Sequence, residues 1–301
     1  MILCCGEALI DMLPRETADG EPAFAPYAGG AVFNTAIALG RLGADVQFFS
    51  GLSSDLFGQQ LVGVLADSKV DAAPSHISDR PTTLAFVRLV DGHATYAFYD
   101  ENTAGRMLTP DDLPDVKADA LFFGGISLVV EPCGDAYRAL MLREAGDKLT
   151  MIDPNIRPGF ITDEAAYRAR LDAMLAVADI VKISDEDLAW LTGDADPDRL
   201  LGDSATQVVL LTRGADGVTV RTRTEQFDVA ADKATVVDTV GAGDTFNAGF
   251  LAGLDRAGLL SKDAVRQASA DALHTAARLG AQAAAITVSR AGANPPWQHE
   301  L

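Results

Sequence analysis

The 301 residues set 24 Lys and Arg against 43 Asp and Glu, a formal net charge of −19. So acidic a surface excludes nucleic acid and anionic lipid as partners, because both are held by cationic side chains that neutralise phosphate. No apolar run is long enough for a membrane span, and the 48% hydrophobic composition suffices for a buried core without disulfides or metals.

In chain order, Met1 to Glu7 reads as a first β-strand and carries no basic region before its apolar residues, unlike a secretory signal. Cys4 and Cys5 would project to opposite faces of that strand. With Cys133 they make three cysteines, which are expected to be free thiols in a reducing cytoplasm. Residues 20–27 read as irregular or extended. Ala28-Gly29-Gly30-Ala31-Val32-Phe33-Asn34 then leads into a helical stretch, Thr35–Leu42, closed by Gly43. Paired glycines allow close approach of backbone to ligand, and Asn34 offers donor and acceptor together; a plain helix start has the same pattern. Thr83–Val90 and Ala94–Tyr99 flank Asp91-Gly92-His93 and read as two strands about a tight turn. They form either a small sheet projecting from the main body or an ordinary surface hairpin.

Four short apolar runs follow: Ala120–Phe123, Leu149–Ile152, Ile180–Ile183 and Val208–Leu211. They recur at roughly 30 residues, the length of a βαβ unit. Between them Tyr167, Leu171, Met174, Leu175 and Ala178 fall on one helix face. The pattern predicts an α/β fold whose central, mostly parallel sheet is covered by helices on both faces. Ligands of such sheets bind beyond the carboxyl ends of the strands. The turns Gly124-Gly125, Asp153-Pro154-Asn155-Ile156-Arg157, Ser184-Asp185 and Thr212-Arg213-Gly214 should therefore line one crevice.

The strongest local signal is Asp238-Thr239-Val240-Gly241-Ala242-Gly243-Asp244-Thr245-Phe246, followed by an amphipathic helix of small residues. Glycines at a helix start leave backbone N–H groups free to face an anion, and the helix dipole adds positive potential there. Asp244 fits either an N-terminal capping role or a functional carboxylate, and Asp238 six residues earlier favours function. Neither a phosphate-binding loop with its lysine nor a dinucleotide fingerprint occurs. His76, His93, His274 and His299 are scattered without metal-ligand spacing, which speaks against a zinc site.

Together, Gly29-Gly30 with Asn34 and Asp238 to Asp244 resemble the two signatures of the PfkB (ribokinase-like) carbohydrate kinases, in the right order and in a chain of the family's length. Gly6-Glu7-Ala8-Leu9-Ile10-Asp11 resembles the family's first strand, ending in a sugar-binding Asp. Asp153 to Arg157 and Ala285 to Ala293 are similar to segments of bacterial fructokinases. The resemblance implies one ribokinase-like domain over residues 1–301, with a small β-sheet lid from segments about 12–27 and 74–105. It implies an ATP-dependent kinase for a neutral sugar, with fructose preferred. Alternatives are 2-keto-3-deoxygluconate, ribose or a nucleoside as acceptor, or a non-catalytic sugar- or nucleotide-binding relative.

By the same resemblance Asp244 is the catalytic base and the amides of Gly241, Ala242 and Gly243 form an anion hole. Arg157 and Mg²⁺ help to hold the triphosphate. Asp11, Gly29, Gly30 and Asn34 bind sugar, and Thr212, Arg213, Gly214 and Gly217 contact nucleotide, although this last segment is equally a plain turn. Asp238 with the carbonyls of Val240, Thr287, Arg290 and Gly292 matches a monovalent-cation loop for K⁺. Near positive helix-terminal potential, Asp244 is expected to be a weak ground-state base. Two departures stand out. Ser184 and Asp187 replace the Asn-x-x-Glu that arranges Mg²⁺-bound water in many relatives, and Ser-x-x-Asp is also close to a helix capping box. Phe98-Tyr99-Asp100 stands where acid-sugar kinases carry a Tyr-Arg pair, so an acidic side chain is expected to repel sugar acids. A homodimer through the lid edge completes the expectations.

Overall fold

Continuous apolar strands are stable only where both faces are covered, and the four runs become the middle of the larger sheet. The computed structural model describes residues 1–90, 93–202 and 204–301. The Asp91-Gly92 turn therefore lies outside the described residues. In chain order the chain forms β1 (Ile2–Cys5), β2 (Leu9–Glu16), β3 (Pro22–Gly29), α1 (Ala31–Arg41), β4 (Val46–Phe49), β5 (Gly51–Ser53) and α2 (Leu56–Asp67). Next come β6 (His76–Ser78), β7 (Leu84–Val90), β8 (His93–Tyr99), β9 (Ala120–Gly124), α3 (Cys133–Glu144), β10 (Leu149–Asp153), α4 (Glu164–Leu175), β11 (Ile180–Ser184) and α5 (Asp185–Thr192). The chain ends with β12 (Val208–Thr212), β13 (Val218–Thr222), β14 (Gln226–Val229), α6 (Ala242–Arg256), α7 (Lys262–Arg266) and α8 (Ala270–Val288).

The larger sheet has the order β14-β13-β12-β11-β10-β9-β1-β4. It is parallel from β12 to β4 and antiparallel at the β12–β13–β14 edge. One face packs on α1, α2, α6 and α8, the other on α3, α4 and α5. Cys4 and Cys5 fall on opposite faces of β1, and all three cysteines are free and buried. Each predicted run gains one residue at its carboxyl end: Gly124, Asp153, Ser184 and Thr212. These are the residues that face the crevice.

A separate four-stranded sheet has the order β3-β2-β7-β8, so residues 20–27 and the 83–99 pair join one sheet. His76–Ser78 does not belong to it and pairs with β5 instead. The expectation that Gly6 to Asp11 belongs to the first strand is corrected, because β1 ends at Cys5 and β2 begins at Leu9. The chain turns at Gly6, where a Cβ would lie 2.4 Å from Val32 Cγ2, and Asp11 belongs to β2 of the smaller sheet. Asp11, Ala85 and Phe98 are cross-strand neighbours on one face, and Phe98 packs on Phe160 at 4.6 Å. That face therefore turns towards the strand ends of the larger sheet. The opposite face carries Phe24, Phe86 and Tyr99 in an edge-to-face cluster, with Phe24 and Tyr99 exposed.

Helix α6 lies against α8 through small residues. A Cβ on Gly249 would sit 2.6 Å from Gly280 Cα, and one on Gly253 2.6 Å from Ala276 Cα. Helix axes approach this closely only where side chains are missing at the contact. Gly249→Val should force the pair apart and destabilise the fold by about 1–3 kcal/mol. Chemical denaturation checks this as a lower midpoint with an unchanged m-value.

Candidate active site

Helix α6 opens on Gly241, whose φ of 77° is left-handed and whose Cβ would meet Ala293 Cβ at 2.7 Å. Glycine is needed at this position on both counts. Among the described residues no side chain caps the helix, whereas Asp55, Asp163, Ser184, Ser261 and Ser269 cap α2, α4, α5, α7 and α8. The first turn of α6 thus keeps an uncapped cradle at Gly241, Ala242 and Gly243, as an anion hole requires.

Asp244 follows directly, buried, and its Oδ2 accepts a hydrogen bond of 2.9 Å from Asn34 Nδ2 in the first turn of α1. The two motifs of the sequence meet in this contact, with Thr35 Oγ1 donating to the Asp244 carbonyl at 3.2 Å. Helix α1 itself starts after Gly30, at φ 112°. Its first amide, from Ala31, donates to Glu7 Oε1 at 2.8 Å, while Ser127 N–H donates to Glu7 Oε2 at 3.3 Å. Asp11 joins the same group, since a Cβ on Gly29 would meet its Oδ2 at 2.2 Å.

Burial dominates the electrostatics. It pushes the Asp244 carboxyl up to about 7; Asn34 and the Lys182 ammonium pull it down, while Asp153 and Glu7 push it further up. The expectation of a weak ground-state base is thereby corrected, because loss of hydration outweighs the helix-terminal potential. Burial likewise raises Asp11 to about 6 and raises Glu7.

Two residues that motif reading did not assign to the site, Lys182 and Asn247, lie beneath the cradle together with Asp153, whose turn was expected in the crevice. Lys182, in the middle of β11, is buried and donates to Asp153 Oδ2 at 2.9 Å, and Asn247 Nδ2 donates to the same oxygen at 2.8 Å. A Cβ on Gly243 would stand 3.1 Å from Lys182 Nζ, so the ammonium lies alongside the first turn of α6. Among the described residues, Asp153 Oδ1 and Asn247 Oδ1 are buried without a hydrogen-bond partner. The available signal was a lysine inside the apolar run Ile180-Val181-Lys182-Ile183, since buried lysines require a partner.

The remaining candidates are less concentrated. Arg157 is exposed and bonded to the carbonyl of Ile156, so the buried cation beside the cradle is Lys182. Ser184 caps α5 by accepting from Asp187 N–H at 3.0 Å, as the capping alternative anticipates. Asp187 nevertheless senses the site: burial and Asp153 raise its carboxyl, and Lys182 lowers it. In the turn after β12, Arg213 donates to Thr219 and Asp228, and a Cβ on Gly217 would meet the Val229 carbonyl at 2.3 Å. Thr212 bonds the Ile183 carbonyl, and Gly214 takes a left-handed φ of 52°. Asp238 accepts from the amides of Val240 (3.0 Å) and Gly292 (2.9 Å), joining the loop at 238–240 to the segment that follows α8. Thr287 is buried against Thr245, whereas the Arg290 side chain pairs with Glu300.

This arrangement has close counterparts. Residues 1–300 match the model of the pfkB family carbohydrate kinase. The chain is 54% identical over 278 residues to a fructokinase of Rhizobium leguminosarum bv. trifolii, covering 91% of this chain and 85% of that protein. The structure of a fructokinase with bound ATP from Xylella fastidiosa aligns with TM-score 0.88 at 31% identity, covering 97% of this chain and 93% of that one. A fructokinase from Vibrio cholerae O395 in a fructose-, ADP- and calcium-bound form aligns with TM-score 0.83 at 26% identity, covering 97% and 94%.

The raised Asp244 carboxyl has a consequence for stability. Above about pH 7 the native protein bears an ionised buried carboxylate whose cost the unfolded chain escapes. As pH falls from about 7 towards the ordinary 3.8, the native state takes up the proton first, and the penalty disappears. Asp244→Asn should therefore raise Tm by about 2 °C or more at about pH 8. The gain should vanish near pH 4. Calorimetry at the two pH values tests this.

Proposed function

The chain belongs to the pfkB family of carbohydrate kinases, and on that premise we propose that it phosphorylates fructose, the terminal phosphoryl group coming from ATP. The observation that carries this reading is the buried Asp244 carboxylate next to the uncapped start of α6, tied by Asn34 to the other glycine motif. A sugar hydroxyl placed against Asp244 gives up its proton to that carboxylate as its oxygen bonds the γ-phosphorus. The bond from that phosphorus to the β,γ-bridging oxygen breaks, and ADP leaves. In such a loose transfer, positioning and charge stabilisation supply most of the catalysis. Asn34 steadies the base, the α6 amides receive the growing negative charge, and Lys182 supplies the fixed cation beside them.

Asp11, Gly29, Gly30 and Asn34 are the sugar-binding group of this reading, with the smaller sheet as lid. Its Asp11–Phe98 face looks towards the site. Thr212, Arg213, Gly214 and Gly217 are the nucleotide-side turn, and Arg157 a cation at its approach. Mg²⁺ fits the donors at hand: Asp187 and the unpartnered Asp153 Oδ1 are hard oxygens. Among the described residues no group of three His, Cys, Asp or Glu is placed to hold a metal unaided, so Asp153 and Asp187 would hold the ion only together with oxygens of a bound triphosphate. When bound, the ion neutralises phosphate charge. The oxygens of Asp238, Val240, Thr287, Arg290 and Gly292 are the corresponding proposal for K⁺. The exposed Phe24 and Tyr99 support a homodimer through the lid. Three buried free thiols support a reducing, cytoplasmic location, and among the described residues no helix is long and apolar enough to cross a membrane.

A coupled ADP-release assay over neutral sugars, sugar acids and nucleosides should show turnover with fructose and background rates with gluconate-type acids. Asp244→Asn should keep ATP binding and lower kcat by about 100-fold or more; near-normal turnover would remove the base assignment. For Lys182, the double variant Lys182→Met with Asp153→Asn removes both buried charges and should recover the Tm lost in Lys182→Met alone. Its kcat should stay about 100-fold low. Recovery of kcat together with Tm would make the pair a structural staple only.

A further inference from the structure

We infer that residues 290–300 form a strap holding the start of α6 in place, and that Arg41, which grips the strap, is a positioning residue for phosphoryl transfer. This rests on the kinase reading of the α6 cradle and deepens it. Gly241 opens the cradle, and a Cβ on it would stand 2.7 Å from Ala293 Cβ and 3.0 Å from Ala293 Cα. Ala293 is therefore packed directly on the residue that begins the helix. One residue earlier, the Gly292 N–H donates to Asp238 Oδ2 at 2.9 Å, and the Val240 N–H donates to Asp238 Oδ1 at 3.0 Å. The strap thus meets the 238–241 turn at two successive residues.

Beyond Ala293 the strap meets the far end of α1. Arg41, the last residue of that helix, donates from Nη1 to Asn294 Oδ1 at 2.8 Å and to the Pro295 carbonyl at 2.9 Å. Its guanidinium lies 5.4 Å from the centre of the Trp297 ring, and the Lys69 ammonium lies 5.7 Å from the same centre. Pro295 and Pro296 are buried, and their fixed φ stiffens the span between Asn294 and Trp297. The Trp297 N–H donates to Glu300 Oε2 at 2.7 Å, and Glu300 pairs with Arg290 at 2.7 Å, so the strap closes on its own beginning.

A glycine-rich helix start has little restraint of its own. Among the described residues no side chain caps α6, and a cap would occupy amides that an anion needs. Restraint therefore has to come from outside the turn, and α1 supplies it at both ends. Asn34 in its first turn holds the Asp244 carboxylate. Arg41, about 10 Å farther along the helix axis, holds the strap that packs on Gly241. Asp244, Asn34, Arg41, Asn294, Ala293 and Gly241 thus form one closed ring whose stiff member is a helix. Base and cradle are kept in register by that ring, and transfer between them is steep in distance: a misplacement of about 1 Å can cost about 100-fold.

Arg41→Met keeps an apolar stem beside Trp297 and removes both hydrogen bonds to the strap. Assayed well below its melting temperature with ATP and a neutral sugar that the wild type turns over, it should lose kcat by about tenfold. The KM for that sugar should stay within about twofold. Ala293→Gly, needed if that variant fails to fold, should show the same split, and the double variant should be within about twofold of the worse single one. Hydrogen exchange on the free protein needs no substrate. The Thr245 amide donates to the Gly241 carbonyl at 2.9 Å. In either single variant its exchange rate should gain about tenfold over that of the Phe250 amide in the same helix. A kcat within about threefold of wild type, multiplied losses in the double variant, or equal acceleration of the two amides would overturn the inference and leave the strap a stability element. Absence of sugar turnover by the wild type would count against the kinase reading alone, because the exchange comparison still decides the strap.

Discussion

The hydrogen bond between Asn34 and Asp244 is the contact on which the site depends. It joins the starts of α1 and α6, helices from opposite ends of the chain, across a separation of 210 residues. Both helices open on a glycine at positive φ; among the described residues no side chain caps α6, whereas Glu7 takes the first amide of α1. Two helix starts thus converge on one buried carboxylate. The glycine contacts between α6 and α8 serve the same end, because the depth of α6 in the core sets where its first turn emerges. The α6–α8 packing and the placement of Asp244 are one constraint.

Charge is managed locally rather than globally. A chain with net charge −19 repels a polyanionic nucleotide at a distance, and the site compensates within a few ångströms. Lys182 is held by Asp153 against the first turn of α6, so this cation need not be ordered when ligand arrives. The raised carboxyls of Asp244 and Asp11 cost stability in the free protein at pH values above them.

The βα rhythm was legible because continuous apolar runs such as Ile180–Ile183 have few folded alternatives, and each observed strand begins where its run begins. The glycine signatures were legible for a related reason: Gly30 and Gly241 adopt backbone angles that other residues resist. Capping was partly legible. Ser184 does cap α5, but nothing in Ser-x-x-Asp showed that the Asp187 carboxyl would sense Asp153 and Lys182. Arg157 looked like the phosphate-side cation because it follows a strand, yet it is exposed while Lys182 is buried beside the cradle. Spacing along a chain does not report which of two cations turns inward.

Sequence by itself determined the fold class, the place of the crevice and the two motifs that meet there, because periodicity and glycine are local properties of the chain. Only the tertiary structure decided the raised carboxyl of Asp244 and the partners of Lys182, Asp100 and Arg106. These depend on burial and on charges brought together from distant segments. Solvation and Coulomb energy are functions of distance in space, and order along the chain does not contain that distance.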